Sequence, residues 1–355
     1  MHARVSRMWG IFGILANLLV LWSLSVESVS AQPFEVIASG LDNPRGLAFG
    51  PAGALYVVEA GRGGDGPCTD YELYGDVQCF GFTGAVTRVW QGQQERIVTD
   101  LHSLAHPETG NFAFGPHDIS FQSHGVAYVV VGGCFPGVAP FGGGCGELIR
   151  LQPQGMWQTV ADLVAYEVAN NPDGSTLFSD PYGVLALPGR RIVVDAAANT
   201  VLRVAPDGEI STLAVLPARL VEASDGTMIT IESVPTSVAQ GPDGAFYVGE
   251  LGGDFAPVGS ARIHRIAPGE APQVYAEGFT NVIDIAFDRH GRLLVLEIVK
   301  NSLESGDQTG ALIRLNPDGS RETLLSDGLQ MPTGVAVGAD GALYLSNCGT
   351  CSGVG

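Results

Sequence analysis

Apolar residues in this chain come in short runs, and one phrase of apolar run, tight turn and second apolar run recurs. "NPRGLAFGPAGALYVVEA" (43–60), "GPHDISFQSHGVAYVVVGG" (115–133) and "DPYGVLALPGRRIVVDAA" (180–197) carry it first. "VPTSVAQGPDGAFYVGEL" (234–251), "NVIDIAFDRHGRLLVLEI" (281–298) and "MPTGVAVGADGALYLSNC" (331–348) repeat it. The second run is rich in β-branched and aromatic residues, which favour a pleated, half-buried surface. The turn carries a glycine, which supplies the positive φ of a hairpin. After a loop of variable length come a third strand, such as "GAVTRVW" or "ARIHRIA", and a fourth, such as "ERIVTDL" or "RETLLSDGL". Four antiparallel strands per unit, repeated six times, predict an all-β chain folded as a six-bladed β-propeller. No stretch sustains a helical period; "LVAYEVANNPDG" (163–174) has room for a short turn of helix.

The last repeat supplies only its first two strands before Gly355. "FEVIASGLDNPRG" (34–46) aligns with "ETLLSDGLQMPTG" (322–334), so the N-terminal segment is expected to close the last blade as its outer strand. The third strand of that blade is lacking. Second and fourth strands of a blade run parallel and need the third between them, so the pattern predicts a chain truncated at its C-terminus or a defective last blade.

The first 31 residues differ. Arg4 and Arg7 precede the apolar run "WGIFGILANLLVLWSL", and Val29 and Ala31 occupy the small-residue positions of a cleavage site. The run is short for a membrane span, so residues 1–31 read as a secretory signal peptide and 32–355 as one propeller domain. The expected location is periplasmic or secreted, with no stable membrane anchor after cleavage. The net charge of −19 disfavours nucleic acid as a partner. In an exported chain the six cysteines are expected to be oxidised. Cys68 with Cys79, Cys134 with Cys145 and Cys348 with Cys351 are the pairings that need least loop closure. Ligands at zinc-finger spacing are absent.

"VPTSVAQGPDGAFYVGELGG", "GSARIHRIAPG" and "GFTNVIDIAFD", with "GLDNPRGLAFGPAGALYVVEAGRGG" and "GPHDISF", closely resemble the ScyD/ScyE family. These are exported propeller proteins associated with gene clusters for scytonemin, a cyanobacterial sunscreen pigment. The resemblance covers about residues 34–355, and the single repeat also looks like NHL and gluconolactonase-like propellers. It implies the fold, export and a place in secondary-metabolite biosynthesis, and it carries over no catalytic residues. The two cysteine-bounded loops and the missing end depart from the family's pattern.

Strand starts and strand ends that share one face of the ring bring Glu59, His117, Asp118, Asp195, Glu250, Asp284, Glu297 and Asn347 towards the axis. The long loops 61–83 and 132–145 and the tail "SNCGTCSGVG" lie on the same face, where binding residues concentrate. Of these candidates Glu59, Asp195, Glu250 and Glu297 are candidate metal ligands, since oxygen-only donors suit calcium. The competing expectation is structural: strand-end acids accept backbone N–H bonds and lock the ring. His117 is the one candidate general base; adjacent Asp118 points to the opposite face, which weakens a dyad. His102 and His106 read as surface, and the "PDG" sites as turns. No nucleophile elbow, metalloprotease helix or phosphate loop occurs. Two classes remain: a propeller binding a small molecule, cation or protein partner on its loop-bearing face, and a calcium-dependent, gluconolactonase-like hydrolase or isomerase.

Overall fold

The computed structural model describes residues 34–71, 76–122, 125–133, 144–253 and 256–355. The leader expected over residues 1–31 and the cysteine at 134 lie outside the described residues.

Each repeat folds as the pattern dictates. The first blade consists of Pro44–Phe49, Leu55–Glu59, Asp76–Trp90 and Gln93–Ala105. The second uses Pro116–Gln122, Val126–Val131, Glu147–Leu151 and Trp157–Asp162. Pro181–Leu187, Arg190–Asp195, Thr200–Val204 and Ile210–Val215 make the third. The fourth runs through Pro235–Gln240, Phe246–Glu250, Ala261–Ile266 and Gln273–Phe279. Val282–Phe287, Leu293–Glu297, Ala311–Leu315 and Arg321–Leu325 form the fifth. In every blade successive strands pair antiparallel. The turn glycines do what their spacing demands; Gly244, for example, sits at φ +81°.

The sixth place is taken by a sheet of two strands, Gly334–Val337 and Leu343–Ser346. The innermost strands touch in chain order, and Gly334–Val337 packs against Pro44–Phe49, so the ring closes. All five complete blades and this sheet belong to one unit, residues 36–355.

The closing strand expected over residues 34–41 is not formed. With no third strand in that sheet, a segment running parallel to Leu343–Ser346 has no antiparallel ladder to join. Leu41 instead exchanges backbone bonds with the tail: its N–H donates to Gly355 (3.2 Å) and its carbonyl accepts from Gly353 (3.0 Å). The Asn43 N–H donates to the Cys351 carbonyl at 2.8 Å.

Three elements stand outside the repeat. Cys68–Tyr71 pairs with the start of Asp76–Trp90, so the first long loop is itself a hairpin. Cys68 and Cys79 face each other across it and form a disulfide; Cys348 and Cys351 form another. Cys145 is also disulfide-bonded. Leu163–Asn170 is a helix, capped by the Asp162 carboxylate accepting from Ala165 N–H at 2.8 Å. A hairpin of Arg219–Glu222 and Met228–Ile231 separates the third and fourth blades.

The core lies between neighbouring blades. Tyr128, Val130 and Leu148 of the second meet Val184, Val193 and Leu202 of the third, all buried. Near the axis the inner strands approach so closely that three of them carry glycine at matching positions: Gly46, Gly183 and Gly334. A Cβ on Gly46 would lie 2.8 Å from the Asp118 Cα in the next blade. Replacing Gly46 by Val is expected to cost about 1–3 kcal/mol or more, because backbone and not a flexible side chain must yield. Urea denaturation measures it, and an unchanged midpoint would contradict this packing.

Candidate functional site

The second strand of four blades ends in a carboxylate, and that of the sixth sheet is followed by Asn347; four of these five groups do the same job. Glu59 accepts from the Asp42 N–H (2.7 Å), Asp195 from Asp180 (2.7 Å) and Glu297 from Thr280 (2.7 Å). Asn347 Oδ1 accepts from Gln330 N–H at 2.8 Å. Each bond pins the segment that leads into the first strand of the same blade. In Glu59 and Asp195 the remaining oxygens are also taken. Glu59 binds Thr87 Oγ1 and the Arg96 guanidinium, and Asp195 accepts from Ser179 Oγ and Ala198 N–H. Glu250 departs from the pattern: it holds Arg219 of the inserted hairpin and accepts from, or donates to, His264 Nε2 at 2.9 Å. Among the described residues, no three His, Cys, Asp or Glu side chains lie together as ligands for one ion. The four acids named as metal ligands do not converge.

A second set of side chains does reach the axis, and a bulge at the start of the inner strand in each complete blade puts it there. Pro116 pairs with Val131 and Asp118 with Val130, leaving His117 outside the ladder. The same slip frees Tyr182, Thr236 and Ile283, and it falls across Arg45 and Gly46 in the first blade. Bulges re-aim side chains in this way. Arg45 crosses the mouth: one terminal nitrogen donates to the Ala113 carbonyl at 2.6 Å, the other to Tyr182 Oη at 3.4 Å. The His117 ring lies 4.4 Å from that of Tyr182, and its Nδ1 is 3.5 Å from Asp180 Oδ1. Arg45 and His117 are buried, at 7% and 2% exposure. Among the described residues Arg45 forms no ion pair and its Nε has no partner, while His117 faces the Pro181 backbone and Asp180.

One position further along, Asp118 and Asp284 occupy opposite places in the ring. Asp118 accepts from Ile119 and, in the next blade, Val184, both at 2.8 Å. Asp284 does the same with Ile285 and Val335, both at 2.7 Å. Gly46, having no side chain, leaves the space that the Asp118 carboxylate enters.

Burial dominates the electrostatics. It pushes Asp118 and Asp180 up to about 7, against the N–H bonds each accepts, and raises Asp284 further with help from the Asp118 charge. Burial and then the Arg45 charge hold the His117 imidazole neutral, its pKa well below the usual value. The Tyr182 hydroxyl is raised by burial and stays protonated. The result is a fixed cation, a neutral imidazole, a phenol and carboxyls that exchange protons near neutrality.

Of the residues that sequence pointed to, His117, Asp118 and Asp284 do reach the axis. Arg45, Asp180 and Tyr182 escaped notice because "NPRG" and "SDPYG" read as strand approaches. Aligning the inner strands at the residue after the leading proline lines them up. His102 is not at the surface: it is buried against Phe80, with its pKa lowered to about 4 by burial, because the outer strand of the first blade extends to Ala105. His106 caps a turn, its Nδ1 accepting from Glu108 and Thr109 at 3.3 Å.

No family model matches the chain, and no curated protein does. Solved structures do. A candidate gluconolactonase superposes with a TM-score of 0.52 at 16% identity, covering 90% of this chain and 89% of that one. A Bacteroides thetaiotaomicron protein of unknown function gives 0.54 at 10% identity, over 89% and 71% of the two chains. The chain has the gluconolactonase-type propeller fold. Virginiamycin B lyase from Staphylococcus aureus is a more distant likeness, with a TM-score of 0.48 at 14% identity over 88% and 80% of the chains. At these identities the likeness extends to the fold alone.

Proposed function

We propose that this is an exported propeller of the ScyD/ScyE kind that binds a small, oxygen-rich molecule at the axial end of its loop-bearing face. A place in scytonemin-like biosynthesis rests on the sequence phrases at 234–298. The observation that carries the binding site is Arg45: a buried guanidinium with no carboxylate partner among the described residues and an unspent Nε–H, beside the neutral His117 imidazole. Buried donors left unpaired cost free energy unless something meets them. A carbonyl or carboxylate oxygen on Arg45 and Tyr182, with hydroxyls on His117 and Asp180, would meet all of them. The segment carrying Ala113 covers the site, fastened by Phe112 N–H to the Thr350 carbonyl (3.1 Å) and Ser352 N–H to Asn111 Oδ1 (2.9 Å). A ligand enters by lifting it.

A hydrolase or isomerase is the second reading, favoured by the approach of His117 to Asp180. It needs no calcium on Glu59, Asp195, Glu250 or Glu297, whose oxygens already have protein donors or, for Glu297, a backbone N–H. One experiment addresses both. D-gluconate and D-glucono-1,5-lactone are added to the purified protein, and melting temperature and lactone turnover are followed. Stabilisation by roughly 3 °C or more that vanishes in Arg45→Met supports the binding site. Turnover lost in His117→Asn, with stabilisation by gluconate kept, supports the enzyme. Equal response of the wild type and Arg45→Met would remove Arg45 as anchor, and no response from either probe would count against an aldonate-like ligand.

A further inference from the structure

We propose that the turn closing the helix Leu163–Asn170 holds a calcium-class cation between Glu167, Asn171 and Asp173, away from the axial residues.

The helix ends because Asn171 takes the left-handed conformation, φ 40°, with its N–H on the Glu167 carbonyl at 2.8 Å. Its side-chain Nδ2 donates to the Ser175 carbonyl at 3.0 Å, which fixes the amide orientation and turns Oδ1 the other way. That Oδ1 is buried and has no donor. Four residues earlier, on the same face of the helix, Glu167 is only 3% exposed, and its Oε1 also has no donor. Asn171 Oδ1 can only accept, and so can Glu167 Oε1 once its carboxyl is ionised, above about pH 7. The Asp173 carboxylate is fixed nearby by Ser175, whose N–H (2.9 Å) and hydroxyl (2.8 Å) both donate to it. Asn199 Nδ2 joins Asp173 (3.1 Å) to Glu232 (2.7 Å), bringing in another carboxylate.

Negative charge here has no counterion. Among the described residues no Lys, Arg or His forms an ion pair with Glu167, Asp173, Asp195 or Glu232. Burial, then the charges of Asp195 and Asp173, push the Glu167 carboxyl up to about 7. A buried acceptor-only pair beside uncompensated carboxylates lacks one thing, a cation. Carboxylate and amide oxygens are the donors calcium takes, and its flexible shell of six to eight ligands is completed by water. Two carboxylates and an amide oxygen suffice, so the absence of a three-acid cluster among the described residues is no obstacle.

The test uses the full-length protein stripped with EDTA and titrated with calcium chloride by calorimetry, with magnesium chloride alongside. One calcium per chain is expected, with a higher melting temperature, and Glu167→Gln and Asp173→Asn each weakening binding at least roughly tenfold. Arg45→Met is expected to bind calcium like the wild type, which keeps this site separable from the axial one. Without calcium, Glu167→Gln is expected to melt at or above the wild-type temperature, since it removes an uncompensated charge. Absence of binding in the wild type overturns the proposal. So does undiminished binding in both variants, which would place the ion elsewhere.

Discussion

The melting temperature is expected to rise as the pH is lowered from about 8 to about 5, by roughly 5 °C or more. Burial sets the direction. Asp118, Asp180 and Glu297 are raised to about 7, Asp195 to about 6, and Asp284 is raised as well, with burial the leading cause in each. In the unfolded chain these groups return to ordinary carboxylate values near 4. Between those limits the folded state holds more protons than the unfolded one. Their contribution is therefore complete below the unfolded values and is lost as pH climbs through about 6–7. A tenfold gain in the proton affinity of one buried carboxylate on folding corresponds to about 1.4 kcal/mol. His102 and His117, held neutral, act in the opposite sense below their unfolded value near 6.5. Two imidazoles oppose five carboxyls, so the acids win. At still lower pH the surface acids Asp243 and Asp288, held low by arginine and backbone donors, lose their bonds and stability falls. Calorimetric melts across this range decide the matter; a curve that is flat, or highest at pH 8, is incompatible with the buried acids.

Glu250→Ala is expected to cost about 3–5 kcal/mol, the usual penalty for stripping one partner from a buried ion pair. Glu250 is fully buried, and its partners Arg219 and His264 are 14% and 10% exposed at the side chain. Arg219 also donates to the Ser260 carbonyl, so one guanidinium ties the inserted hairpin to the fourth blade twice. Removing the carboxylate strands that cation and loosens the hairpin. Glu250→Gln keeps an acceptor and is expected to lose less. Urea denaturation gives the values, and a loss below about 1 kcal/mol for Glu250→Ala would show that Glu250 does not anchor the hairpin.

Much of the fold was legible because period-two alternation and turn glycines are local signals. The strands of all five complete blades lie where their phrases put them. What failed was closure: 34–46 resembles 322–334, but without the third strand, which the pattern lacks, the segment 34–41 forms no strand. The hairpin at 219–231 falls between copies of the repeat, where no second instance of the pattern reveals it; the helix at 163–170 lies where the sequence leaves room for a short turn. The site was legible by address and not by role. Strand-end acids are easy to find, but whether Glu59 faces a ligand or Arg96 depends on an outer strand whose register the sequence does not display. Arg45, Tyr182 and Asp180 matter because of a bulge, and a bulge shifts a side chain without changing the pattern around it.

Leu343–Ser346 offers no ladder to the stretch before Pro44, so the circle is fastened at that point by hydrogen bonds linking Leu41 and Asn43 to Cys351, Gly353 and Gly355, by Thr333 Oγ1 donating to the Pro44 carbonyl at 2.6 Å, and by the packing of Leu41, Leu47 and Phe49 with Ala336 and Tyr344. Such a circle has a seam. The Cys348–Cys351 bridge shapes the strip of chain sewn along that line. Thiol reductants would free this strip together with the Cys68–Cys79 hairpin and Cys145.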